Sequence, residues 1–368
     1  MKKIKIVFFV IILLHILTFS TFAFDDDYYN NSVKDIINSI SDETKELLDK
    51  IGLDEYSYEE LYNISLSDIK NLLFDIFNGS LKEPLNCAIT VIGIVFVSAI
   101  VSVYITKNST YEYLEIVAVT FICLLIFSKI INCITKAVTA LESLGVIMKL
   151  LVPILAIMAA ISGTPTLAVS YNAVTVYIAE IISAVCRDFL TPLLITFTSI
   201  SACMSLNSVI KSDTILNMLK KSINMILGFA GTIFTGVIAV KDILSVGADK
   251  VSVKGIKFIL GSSVPVVGSA MSEGLSSIIA SVALMKNTFG IFGIVLIIVI
   301  VLPISSELIL WIISLSFSEY CCEIFNQKRV ATVIASLKFM FSMMLSLLLF
   351  TVYILIVSTG MIILANNK

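Results

Sequence analysis

Runs of about twenty apolar residues, separated by shorter polar segments, occupy most of the chain after residue 85. An α-helix needs about 20 apolar residues to cross the ~30 Å hydrocarbon core of a bilayer. The pattern predicts spans at residues 86–106, 114–134, 146–162, 166–185, 189–210, 223–240, 289–313 and 339–364. Together with one unusual stretch at residues 255–293, it predicts an all-α, polytopic transmembrane helix bundle of about seven to nine spans.

The stretch at residues 255–293 is apolar but interrupted, and it contains the carboxylate of Glu273. The interrupting residues are Gly261, Pro265, Gly268 and Gly274. Glycine and proline weaken helices, and backbone groups freed inside a bilayer must find partners in protein or water. The pattern favours a broken or re-entrant helix pair inside the bundle. A kinked helix that packs through its small residues is the alternative.

Residues 1–23 have the pattern of a secretory signal peptide, in which lysines precede an apolar run and a small-residue site ends at Ala23. An uncleaved first anchor is the alternative, since the apolar run nearly reaches spanning length. Both interpretations place residues 24–84 outside the cytoplasm. This region carries fifteen acidic residues against five lysines, with helical apolar spacing and a helix stop at Gly52. It predicts a small, acidic, extracytoplasmic helical region ahead of a membrane domain at residues 85–368.

The composition agrees with this division. The chain is 58% hydrophobic and 14% charged, with a mean hydropathy of +1.02, whereas soluble domains carry about 25% charged residues. No basic run with interleaved aromatic residues is present, so nucleic-acid binding is not supported.

No motif in the sequence supports catalysis or the binding of a metal or cofactor. The single histidine, His15, lies in the predicted signal peptide, and the seven cysteines form no C-x-x-C pair. Neither a phosphate-binding G-x-x-x-x-G-K-[ST] loop nor a dinucleotide-binding G-x-G-x-x-G motif occurs. We therefore predict a protein that is not an enzyme, with no catalytic residue, metal or cofactor.

Besides Glu115 at the edge of its span, three carboxylates lie within predicted spans or the interrupted stretch, namely Glu180, Glu273 and Glu307. Ionisable residues at membrane depth are costly and usually face a bundle interior or water. They are candidates for a polar path, accompanied by the helix-breaking Pro265, Gly268 and Gly274. Structural hydrogen bonding between helices is the alternative.

The stretch at 255–293 also carries a resemblance to a known family. Its pattern consists of Lys257-Phe258, Val264-Pro265-Val266-Val267-Gly268, Ser272-Glu273, Ser281, Leu284, Lys286-Asn287 and Gly290, with a second piece from Ser162-Gly163 to Glu180. The chain resembles stage III sporulation protein AE of endospore-forming bacteria over nearly its whole length after the signal.

The resemblance implies a membrane subunit of the complex that links mother cell and forespore, located in the mother-cell-derived outer forespore membrane. Its implied partners are the other proteins of the stage III sporulation A operon, including an ATPase and ring-forming subunits, and a forespore membrane protein across the intermembrane space. The residues by themselves also allow an independent ion-coupled transporter. An intramembrane enzyme is a third alternative, for which no residue pair stands out.

Overall fold

The computed structural model describes residues 34–53, 66–104, 108–164, 181, 184–206, 217–226, 228–232, 236 and 268–364. Regular structure in these ranges is helical, which confirms the all-α prediction. The main elements are α1 (Asp42–Lys50), α2 (Leu66–Val103), α3 (Asn108–Ile161), a π-helical segment (Val185–Leu190), α4 (Thr191–Leu206), α5 (Gly268–Ile324) and α6 (Lys328–Leu364). The predicted signal peptide lies outside the described residues.

Helix ends follow local capping chemistry. The Ser41 hydroxyl accepts a hydrogen bond from the backbone N–H of Thr44 and so caps the start of α1. Gly52, with a φ of 78°, ends this helix, and the N–H of Leu53 donates to the carbonyl of Leu48 at 3.1 Å. Gly163, with a φ of 98°, ends α3 in the same way. This left-handed C-cap favours glycine because it has no Cβ. The stop predicted at Gly52 is confirmed.

The helices are longer than the predicted spans. The α2 helix continues through Pro84, which lies at the boundary predicted between the two regions. The α3 helix joins predicted spans 114–134 and 146–162 into one helix of 54 residues. The loop predicted between these two spans is not observed. Residues 135–145 contain no proline, and Thr135, Lys136, Thr139 and Ser143 line a polar cavity from a continuous helix.

The α5 helix contains residues that the sequence predicts to interrupt it. It begins at Gly268 and contains Glu273, Gly274 and Pro303 without a break. The interruption predicted at Gly274 is therefore not observed, and Pro303 does not break the helix either. A proline removes one helical hydrogen bond, and packing against α2, α3 and α6 compensates for that loss. Gly261 and Pro265 lie outside the described residues.

Four helical segments are long and apolar enough to cross a membrane: Lys70–Val103, Tyr113–Ile161, Val282–Ile324 and Lys328–Gly360. The described residues do not reproduce seven to nine spans, and predicted spans 166–185 and 223–240 lie largely outside them. At 1.5 Å per residue, α3 is about 81 Å long and α5 about 86 Å. Each helix therefore extends well beyond one ~30 Å hydrocarbon core.

A tight hairpin joins α5 to α6. Asn326 adopts a φ of 56°, and the N–H of Gln327 donates to the carbonyl of Cys322 at 2.8 Å. Asparagine tolerates this left-handed conformation better than most residues. Below the turn, the rings of Trp311 and Phe341 stack with their centroids 5.3 Å apart. The hairpin sets α5 and α6 antiparallel, and these two helices pack extensively on each other.

Glycines allow α5 to approach its neighbours closely. A Cβ built on Gly293 would lie 2.5 Å from Cδ2 of Leu151 in α3, whereas one built on Gly93 in α2 would meet nothing within 4 Å. We expect Gly293→Val to destabilise the full chain by about 1–3 kcal/mol through overpacking. Gly93→Ala should be neutral or slightly stabilising, since alanine favours helix over glycine. Thermal unfolding of the detergent-purified protein measures both; equal stabilities for the two variants would contradict the packing assignment.

Candidate functional site

A polar cavity of about 660 Å³ lies where α1, the first half of α2, the centre of α3 and the centre of α5 meet. Hydroxyl groups on its lining come from Ser41, Thr44, Ser80, Thr135, Thr139 and Ser143. Its volume lies within the roughly 300–1,000 Å³ of pockets that hold small molecules. A cavity of this size, lined by hydroxyl and charged groups, can hold water or a polar solute.

An ion pair crosses from α3 to α5 at the cavity wall. The Nζ atom of Lys136 lies 3.0 Å from Oε2 of Glu307, and the lysine side chain is 52% exposed while the glutamate side chain is 12% exposed. A carboxylate this buried needs a charged or hydrogen-bonding partner. Lys136 supplies it and remains accessible from the cavity.

Local sequence explains why both side chains reach the cavity. Thr135, Thr139 and Ser143 recur every four residues, which places them on one face of α3 beside Lys136. On α5, Ile300, Ile304 and Glu307 follow the same helical spacing. A polar face of α3 therefore lies opposite a mostly apolar face of α5 that carries Glu307.

The cavity has an acidic character. Its carboxylates are Glu43, Glu46, Asp75, Glu83 and Glu307, and its ammonium groups are Lys50 and Lys136. Four of the five carboxylates come from the region that the sequence predicts to be acidic and extracytoplasmic. This surplus of negative charge favours cations or cationic groups of a solute over anions. Within the described ranges, no group of three or more His, Cys, Asp or Glu residues could hold a metal ion.

Two further ion pairs connect helices away from the cavity. Nε of Arg329 at the start of α6 lies 3.4 Å from Oε2 of Glu115 in α3, and both side chains are largely buried. Lys338 of α6 donates to Glu319 of α5. These pairs tie α6 to its neighbours and so have a structural role.

The structure places two of the three carboxylates that the sequence grouped together, and these two lie far apart. Glu307 lies at the cavity, whereas Glu273 lies 34 residues earlier on the same helix, about 51 Å away along its axis. Glu180 and Pro265 lie outside the described residues, and Gly268 and Gly274 are in the first turns of α5. A path shared by all three carboxylates stays a prediction.

Sequence reasoning missed Lys136. It falls in a polar segment that the hydropathy pattern assigned to a loop between two spans. The four-residue spacing of Thr135, Thr139 and Ser143 was the available signal for a continuous helix with a polar face. The pairing with Glu307, 171 residues away, has no local signal.

Comparisons with known proteins agree with the resemblance in the sequence. The family model for stage III sporulation protein AE matches residues 53–366. The stage III sporulation protein AE of Bacillus subtilis (strain 168) is 26% identical over 174 residues, which are 47% of this chain and 43% of that protein. Less than half the length of this relative is therefore matched. No solved structure matches the chain. Because the family match covers most of its length, the chain belongs to the stage III sporulation protein AE family, whose name implies a role in sporulation.

Proposed function

We propose that this chain is a non-enzymatic integral membrane subunit of the channel or secretion-like complex that connects mother cell and forespore. Forespore development after engulfment would depend on it. The observation that carries the proposal is the acidic cavity, built inside a family member with four helices suited to membranes. A cavity lined by hydroxyls and carboxylates suits passage or binding of a polar solute.

The position of the acidic residues in the cavity also supports an orientation of the protein in the membrane. Its acidic wall comes from α1 and the first half of α2, within the region that the sequence predicts to be extracytoplasmic. In the outer forespore membrane, this wall would face the space between the two membranes. Ring-forming operon proteins and a forespore membrane partner would be reached from that side, and an ATPase of the same operon would act from the mother-cell cytoplasm.

Spore formation tests the proposal directly. We expect a deletion strain to lose heat-resistant spores and to keep a late forespore reporter silent after engulfment. Wild-type protein should restore both, and Lys82→Met should do so as well, because Lys82 is exposed on α2 next to the cavity but does not line it. Normal spores in the deletion strain, without a second copy of the gene, would refute the role.

The cavity also favours a second candidate, an independent ion-coupled transporter for a small solute. The Lys136–Glu307 pair is accessible enough to exchange partners when a charged solute enters. Liposomes that contain the purified chain alone separate the two candidates. Gradient-driven uptake that needs no other protein would support the transporter, whereas absence of flux together with spore loss in vivo would support the subunit.

A further inference from the structure

Lys286 is buried in the apolar first half of α5, far from the cavity. Its side chain has no solvent exposure, and its Nζ atom has no hydrogen-bond partner in the part of the chain that the structure describes. The Oδ1 atom of the neighbouring Asn287 is buried and unpartnered as well. An unpaired ammonium in such surroundings is strongly unfavourable.

Among the described residues, the parts of α3 and α6 that pack near this turn supply no carboxylate. Gly290, one turn later, contacts Ile363 of α6, and Gly293 contacts Leu151 of α3. Residues 145–161 of α3 and 345–364 of α6 contain neither Asp nor Glu. On α5 itself, Glu273 is about 20 Å away and Glu307 about 32 Å away along the axis, beyond the reach of a lysine side chain.

Lys286 is therefore a buried, ionisable residue in an apolar helix, and the described helices supply no counter-charge for it. Ionisable residues at such depth usually mark binding or transport sites rather than passive packing. We propose that Lys286 is the anchor of an internal site for an oxyanion, a carboxylate or a phosphate, that comes from outside the described helices. The ammonium would pair with the anion, and the Asn287 amide would supply a second polar contact.

This site differs from the acidic cavity in sign and position. The cavity favours cationic groups at Glu307, whereas Lys286 favours anions about 32 Å further along α5. The inference does not rest on the proposed sporulation role, since binding to the purified chain can be measured without any partner.

Thermal unfolding of the full-length protein in a neutral detergent tests the proposal. The probes are sodium phosphate, sodium acetate and phosphatidylglycerol, each compared with sodium chloride or phosphatidylcholine at matched ionic strength. We expect at least one probe to raise the unfolding midpoint of the wild-type protein by roughly 2–4 °C through selective binding to the folded state. Lys286→Met should lose this shift, Lys286→Arg should keep part of it, and the exposed control Lys82→Met should keep all of it.

The pattern of responses identifies the source of the anion. A shift with inorganic phosphate and acetate indicates a soluble oxyanion, whereas a shift with phosphatidylglycerol alone indicates a lipid headgroup. Equal shifts in wild type and Lys286→Met, or no shift with any of the three probes, would overturn the proposal. Lys286→Gln provides the same comparison if the methionine variant does not fold.

Discussion

Reversing the charge of Glu307 should abolish function, and reversing Lys136 at the same time should recover a substantial part of it. Glu307→Lys places two ammonium groups where an N–O distance of 3.0 Å now joins opposite charges. One of the two positions is largely buried, so solvent screens the repulsion poorly. We expect Glu307→Lys to lower the yield of heat-resistant spores at least tenfold, with the double variant Lys136→Glu/Glu307→Lys restoring most of it.

Protein levels in the membrane fraction must be measured alongside the spore counts. A double variant that is present at normal levels but remains as defective as Glu307→Lys would show that the pair is not the relevant interaction. Glu307→Gln is the matched neutral control, since it keeps the shape of the side chain. It should give an intermediate defect because Lys136, which is half exposed, can be solvated when it loses its partner.

Removing the Glu115 carboxylate should destabilise the fold without changing the cavity, which Glu115 does not line. Breaking a buried ion pair by deleting one partner typically costs about 3–5 kcal/mol, because the other charge stays buried. Arg329 is 17% exposed, so water can partly solvate its guanidinium. We therefore expect Glu115→Ala to cost about 3 kcal/mol, at the lower end of this range. Thermal or denaturant unfolding of the detergent-purified full chain measures the loss.

An apolar replacement of both partners, Glu115→Leu/Arg329→Met, should be less destabilising than Glu115→Ala alone, since it removes both buried charges. The exposed pair between Lys45 and Asp42 is the matched control. Its carboxylate is 99% exposed, and Asp42→Asn should leave the unfolding curve unchanged within error. Similar losses for Glu115→Ala and Asp42→Asn would contradict the structural role of the buried pair.

The structure also shows why the helices do not end at the predicted span boundaries. Hydropathy windows interpret a polar segment between apolar runs as a loop, as they did for residues 135–145. In the bundle, Thr135, Lys136, Thr139 and Ser143 of this segment line a cavity, and the segment remains helical within α3. Pro84 and Pro303 likewise lie inside helices because neighbouring helices compensate for the missing hydrogen bonds.

The all-α class, the membrane character and the family follow from the amino-acid chain without reference to its three-dimensional arrangement. Each depends on properties that are local in the chain: apolar runs, composition and a pattern of residues. The sequence also predicted the stop at Gly52, since a left-handed helix cap favours glycine, which has no Cβ. The tertiary structure alone decided how many apolar runs join into one helix, and it brought Lys136 to Glu307. It also left Lys286 without a partner in the described helices. These features depend on which helix faces which, and no spacing along the chain encodes a contact across 171 residues.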